Sequence, residues 1–454
     1  MNILLIHSHD TGRYIQPYGH AVATPNLQRL AEQGVIFRQA FSAAPTCSPS
    51  RAAMETGQWP HSCGMLGLSH CGFALDDFRK HWVHTLRQNG FYCALSGVQH
   101  VDGPSADIAS YGRNLGYDAI LNLADMRERW DDLAAEFRAA EFLRRGPREP
   151  FFLSVGFTNT HQPYGRPGPD DPPAHVLPPP FLPDTPEVRF EVAGFHTAAR
   201  QMDRRIGVVL DALQIAGLET RTLVIYTTDH GLGLPGAKCT LSDHGLGVAL
   251  LMRGPAGAGL CGGRACDALI SHVDLFPTLC DLLGIPPPPH MQGRSFLPVL
   301  RGERPEIREE LFGEVTYHAA YEPMRCVRTR RWKYIRRFTD RDRPVLPNCD
   351  GKESRAFLLA HGLADRYVPR EQLFDLFHDP MERENLAECS AHAAVLADLR
   401  GRLDRWMRET RDPLLDGPVP LPPEGFANSP DQQSSHDPLM VFGSALQARP
   451  VQRR

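Results

Sequence analysis

The ten residues Thr222–Gly231, TLVIYTTDHG, decide how this chain is read. The first seven are apolar or β-branched without a polar alternation, which suits a strand buried on both faces. The run stops directly in Asp229-His230-Gly231. A second stretch of the same kind opens the chain, where Asn2–Ser8 runs into His9-Asp10-Thr11-Gly12. Phe91–Leu95 and Phe151–Phe157 are further apolar runs bounded by Gly and Pro, and Val248–Met252 and Ala268–Ser271 continue the series. Between them the spacing turns helical. Asn26–Gln33 lies between Pro25 and Gly34, and Asp274–Leu283 is a second helical run. The clearest helix is Phe195–Ala216, where Met202, Ile206, Val209, Leu210 and Leu213 form one apolar stripe that reads as core packing. Alternating strands and helices predict an α/β fold: a doubly wound, mostly parallel sheet with helices on both faces.

After Gly302 the texture changes. Arg325–Arg330, Trp332–Arg336 and Gln372–Leu376 read as short strands between turns, followed by a helix from about Ala391 to Thr410. The expected division is a catalytic α/β domain over 1–302, a smaller α+β subdomain with an antiparallel sheet over 303–411, and a Pro/Ser-rich tail over 412–454 that wraps or moves.

Composition narrows the function. The 454 residues carry 53 acids and 49 bases, a net charge of −4, so there is no broad basic surface for nucleic acid or an anionic membrane. No apolar run approaches the roughly 20 residues of a membrane-spanning helix. The segment MNILLIH lacks the marks of a signal peptide, and the eleven cysteines are odd in number and scattered, so a reduced, cytoplasmic protein is expected.

Chemistry gathers elsewhere. In Ser42–His61, SAAPTCSPSRAAMETGQWPH, Cys47 stands at a helix start marked by Pro49 and closed by Gly57, with Arg51 one turn on. Such a start favours an anion. Asp10 and Asp229 end two strands, His100 (SGVQHVDG) and His161 (FTNTHQPY) follow two others, and Lys238 lies in the loop Gly231–Thr240. Each alone has a plainer reading: a helix cap, a structural histidine, a surface lysine. In a doubly wound sheet, however, all of them fall at the carboxyl edge. Together they make a hard-oxygen metal site with an anion cradle.

Cys47-Ser48-Pro49-Ser50-Arg51 matches the Cys-x-Pro-x-Arg signature of type I sulfatases, in the alkaline phosphatase superfamily. The segments TPNLQRLAEQGVIFRQAFSAAPTCSPSRAAMETG, TLVIYTTDHG, AKCTLSDHGLGVALLMRGP, QGRSFLPVL and QLFDLFHDPMERENLA match in order. The chain thus resembles that family over roughly residues 2–410, and FGEVTYHAAYEPMRCVRTRRWKYI is similar to its sulfamidase branch and bacterial relatives.

The resemblance implies that a maturase oxidises Cys47 to formylglycine, whose hydrated aldehyde attacks sulfur. It implies a divalent cation, usually calcium, with Mn2+ or another ion as alternatives, held by Asp10, Asp229 and residue 47 with His9 and His230 beside them. Arg51 would steady the nucleophile and His100 would be a further catalytic histidine. Lys238, His161 and His244 would meet the substrate, with His161 protonating the leaving group. Two departures stand out. His9 replaces the family's acidic residue, which could draw a softer metal, and Val98 occupies a usual lysine position. The expected reaction is hydrolysis of a sulfate ester or N-sulfate on a small sulfated substrate, a sugar by the sulfamidase likeness. A phosphonate monoester or phosphodiester hydrolase of the superfamily is one alternative, and a catalytically silent binding protein with this fold is the other. Specificity is expected from the loops Leu66–Phe73 and Asp102–Gly116 and from the second region.

Overall fold

The computed structural model describes residues 1–103, 112–121 and 134–447. The expected loop Asp102–Gly116 therefore lies in large part outside the described residues, as does the end of the tail. In chain order the strands of the large sheet are β1 (Asn2–Ser8), β2 (Val35–Phe37), β4 (Tyr92–Gly97), β5 (Ala119–Ile120), β6 (Phe151–Gly156), β7 (Thr222–Thr228), β8 (Leu250–Arg253) and β9 (Arg264–Cys266). Their spatial order is β5-β4-β6-β1-β7-β8-β2-β9, all parallel to their neighbours except β8, which runs antiparallel to both β7 and β2. Beside it, β3 (Ala40–Phe41) and β10 (Ile270–Ser271) form a short parallel pair.

Register positions the site. Ser8 lies opposite Thr228, His7 opposite Gly156, and Gly97 opposite Gly156. Four central strands therefore end at one level, and the loops that carry His9-Asp10, Asp229-His230, His161 and His100 leave the sheet side by side. Glycine is required where β4 and β6 end. A Cβ on Gly97 (φ 84°) would stand 2.0 Å from the Gly156 carbonyl, and one on Gly156 would stand 2.0 Å from that of Val98.

Alternate residues of the central strands feed two cores. Leu4, Ile6, Val224 and Tyr226 pack with Met202, Ile206, Val209 and Leu213 of helix Pro186–Ile215. Ile3, Leu5 and Ile225 join Met54 of helix Cys47–Thr56 and Leu279 of helix Leu275–Leu283 on the other face. The 30-residue helix begins earlier than its apolar stripe suggested, at Pro186, with the Thr185 hydroxyl accepting from Val188 N–H at 3.4 Å.

The C-terminal sheet is antiparallel, in the order β11 (Glu310–Tyr317), β12 (Tyr321–Thr329), β13 (Trp332–Arg337) and β14 (Glu371–Asp375). Helix Ala393–Thr410 covers it through Leu396, Leu399, Leu403, Trp406 and Met407. The tail folds back: β15 (Phe426–Ala427) pairs with β16 (Val441–Phe442), and Asn428 N–H donates to Ala319 O at 2.8 Å. Among the described residues no helix is long and apolar enough to cross a membrane.

Candidate active site

Cys47 is the first residue of its helix, and no side chain caps that end; the residue before it, Thr46, is extended. The thiol is 2% exposed. Its Sγ lies 3.4 Å from Nε2 of His230, whose Nδ1–H donates to Gly231 O at 3.0 Å. This hydrogen bond turns Nε2 inward, toward the sulfur and the two carboxylates. The same nitrogen is 3.3 Å from Asp10 Oδ1, a buried oxygen without a hydrogen-bond partner. Burial pushes the Cys47 thiol well above its usual range, with Asp229 and Asp10 adding to the push against Lys238 and Arg51.

Asp229 is the most heavily held group. Its Oδ1 accepts from the backbone N–H of Asp10 and of His230, each at 2.9 Å. Its Oδ2 accepts from Arg51 Nη2 at 3.1 Å and lies 2.9 Å from His9 Nδ1. Burial opposes its charge, but His230, His9 and Arg51 outweigh it and hold the carboxyl well below the ordinary range. Burial, with Arg51 second, brings His9 down to about 4, so at neutral pH Arg51 is the standing cation. Arg51 also donates to Ser8 O at 3.0 Å and to His7 Nδ1 at 2.6 Å. It lies behind Asp229 and is not among the residues that line the cleft.

Lys238 is 3% exposed and sits between two carboxylates, Asp10 Oδ2 at 3.1 Å and Asp350 Oδ2 at 2.8 Å. Burial works against its ammonium, yet these two acids raise it well above the lysine range. On its open side Nζ is 3.4 Å from His161 Nε2, and His161 is exposed. His100 has a left-handed backbone (φ 60°), and its Nε2 lies 3.4 Å from Nδ1 of His70. Asp10 (φ 51°) and Cys239 (φ 64°) share that conformation, so three non-glycine left-handed residues border one site.

These groups close the inner end of a cleft of about 750 Å3. His9, Cys47, His100, His161 and Lys238 line it. His244 does not: its ring packs on Phe181, with centroids 4.4 Å apart. Asp350, His70, His318 and the tail residues Phe426 and Asn428 also line the cleft, and none of them was singled out from the sequence. His70 lies inside the loop Leu66–Phe73 that was expected to carry specificity. Asp350 sits in RPVLPNCDGKES, where Pro and Gly mark a turn and nothing marks the carboxylate.

The donor set suits a divalent cation. One ligand atom each from His9, Asp10, Cys47 and Asp229 lie within 4.8 Å of one another, and His230 Nε2 stands 3.3 Å from the unpartnered Asp10 Oδ1.

A sheet edge that gathers a helix-start residue, two carboxylates and a buried lysine at the end of a cleft fits a cation and an anionic group of a substrate side by side. Residues 1–285 match the family model "Sulfatase" and residues 237–353 match "N-sulphoglucosamine sulphohydrolase, C-terminal". The human N-sulphoglucosamine sulphohydrolase is 30% identical over 96% of this chain and 95% of its own length. An ulvan-active sulfatase of Formosa agariphila is 28% identical over 90% of this chain and 75% of its own length. A protein solved in complex with its substrate D-glucosamine-2-N,6-O-disulfate shares the fold, with TM-score 0.71 at 16% identity over 92% of this chain and 99% of that one. The chain belongs to the sulfatase family and is a hydrolase of a sulfate ester or an N-sulfate.

Proposed function

We propose that this protein removes sulfate from a sulfated sugar, an N-sulfated or O-sulfated amino sugar before others, using residue 47 as formylglycine beside a bound divalent cation. The observation that carries this reading is the placement of Cys47, at a helix start facing Asp10, Asp229 and His230 at the inner end of a sugar-sized cleft. The similarity to a protein named N-sulphoglucosamine sulphohydrolase supports the sugar and the N-sulfate. Formylglycine at position 47 would supply an oxygen nucleophile. The cation, calcium before manganese, would be held by Asp10, Asp229 and residue 47 and would supply Lewis acidity there.

The chain's own residues do the rest. Lys238 faces the cleft as a permanent cation and binds the sulfuryl oxygens, while Asp10 and Asp350 beside it keep it protonated. His161, on the open side, hands a proton to the departing oxygen or nitrogen. Arg51 is a positioning residue: it keeps Asp229 ionised and fixed and does not reach the cleft. Because Cys47 is 2% exposed, a maturase partner reaches it before the chain closes around it. A reducing, cytoplasmic setting belongs to the same proposal, on the odd number and scattered spacing of the eleven cysteines.

The test is release of inorganic sulfate from N-sulfoglucosamine and an aryl sulfate, run beside an aryl phosphonate, with Cys47→Ala as control. Sulfate release that the control lacks is the expected result. Faster turnover of the phosphonate would replace this reading with the phosphonate hydrolase, and no turnover of any substrate by converted protein would leave the silent binding protein.

A further inference from the structure

We propose that, while residue 47 is still a thiol, the cleft holds a second and softer metal site, in which His9, His100 and Cys47 bind zinc or another thiophilic divalent ion. One nitrogen of each histidine and the Cys47 sulfur lie within 4.8 Å of one another, and all three residues are buried. This is a nitrogen, nitrogen, sulfur donor set. Such sets select zinc and its softer neighbours over calcium, and three protein ligands with an open fourth position are the usual pattern of an accessible zinc site. The fourth position here is the cleft itself, since all three residues line it.

Three features mark the set as built. His9 Nδ1 lies 2.9 Å from the Asp229 carboxylate, the pairing that orients metal-binding imidazoles. His100 is stacked on His70, with centroids 5.6 Å apart and planes at 16°, and its Nε2 is 3.4 Å from His70 Nδ1. The loop that presents His100 is pinned as well: Gln99 Oε1 accepts from the N–H of Val101 and of Asp102, at 2.5 and 2.8 Å. The carboxylates, by contrast, are engaged from behind, Asp10 by Lys238 and Asp229 by Arg51. Cys47 thus stands between a hard oxygen side and a soft nitrogen side, and its chemical state chooses between them. Binding is a simple exchange: the thiol proton leaves to solvent as the sulfur–metal bond forms, with no change of oxidation state. Once residue 47 has lost its sulfur the soft site is gone, so zinc would occupy only the unconverted protein.

The inference needs the position of Cys47 but not the formylglycine reading, and its test is made on thiol protein. The full chain is prepared without a maturase, the thiol at residue 47 is confirmed by mass, and Co2+ is titrated as a spectroscopic stand-in for zinc. The expected result is one ion per chain with a near-ultraviolet thiolate-to-cobalt charge-transfer band, bleached by Zn2+ and untouched by Ca2+. Cys47→Ser sets the background from the exposed Cys261 and Cys389 and should lack the band. Loss of an outer partner alone typically weakens a metal by about 10- to 100-fold, so His9→Gln and His100→Gln, read separately, should each weaken Co2+ by at least about tenfold. Circular dichroism of each variant without metal establishes that it is folded. A band that survives in Cys47→Ser, no band in the wild-type thiol form, or unchanged affinity in both folded histidine variants would overturn the proposal.

Discussion

Two lysines of this protein are buried in nearly the same way and do different things. Lys238 lies between Asp10 and Asp350, at 3.1 and 2.8 Å, and Lys333 of β13 lies between Asp243 and Glu382, at 2.5 and 2.8 Å. Burial opposes both charges and two acids overcome it in each case, so both ammonium groups are raised. Each also has a histidine kept neutral nearby, with burial the main cause: His318 at about 3 beside Lys238 and His244 at about 4 beside Lys333. The difference is what lies on the remaining side. Lys238 meets His161 and the cleft. Lys333 has no exposed surface, and its acids tie the short helix Asp243–Leu246 and the turn bearing Glu382 to the C-terminal sheet. A buried ion pair of this kind marks a joint in one place and, on the function proposed here, the reaction site in the other, and only access to the cleft separates them.

The comparison can be broken by removing each lysine in turn. Lys333→Met leaves two buried carboxylates facing each other, and breaking such a pair typically costs about 3–5 kcal/mol. Urea unfolding should show a loss of that order, while turnover per folded molecule stays near wild type. Lys238→Met should do the reverse in activity, lowering kcat by about 10²- to 10³-fold, as the loss of one charge-stabilising donor does elsewhere. If the two variants lose turnover equally per folded molecule, the distinction drawn between them is wrong.

Acid sharpens it further. His244 is at about 4 in the folded protein, below the roughly 6.5 of an unfolded histidine. Its neutral form therefore contributes stability in full above pH 6.5, and that contribution is lost as the pH falls toward 4. Between pH 7 and pH 5 the loss is about 2 kcal/mol. His244→Gln should flatten the pH dependence of unfolding by that amount without changing the pH profile of kcat, since His244 lies off the cleft. A shift in that profile would return His244 to the substrate.

Much of this was legible in the chain because parallel strands put their loops at one edge. The apolar runs of β1, β4, β6 and β7 were readable, and with them came His9, Asp10, His100, His161 and Asp229. The Pro and Gly signals around Cys47 located its helix. What was hidden came from irregular backbone far along the sequence. Asp350, His318 and Asn428 follow no strand of the large sheet and enter the site only because the C-terminal sheet and tail fold back over it. β11 was missed because ELFGEVTY carries Glu314 and Gly313 in its middle; both are buried, and Glu314 is accounted for by His61 and Arg325. His244 misled in the other direction. It follows Lys238 closely in sequence, but the short helix Asp243–Leu246 carries it away to Phe181.

The measurement that bears most directly on the central claim is the mass of the peptide carrying residue 47, taken from protein whose sulfate release has been measured in the same preparation and trapped with an aldehyde reagent. The account predicts an aldehyde at residue 47, in a fraction that rises and falls with turnover from batch to batch. Full sulfatase turnover by protein that carries only the intact Cys47 thiol would contradict it.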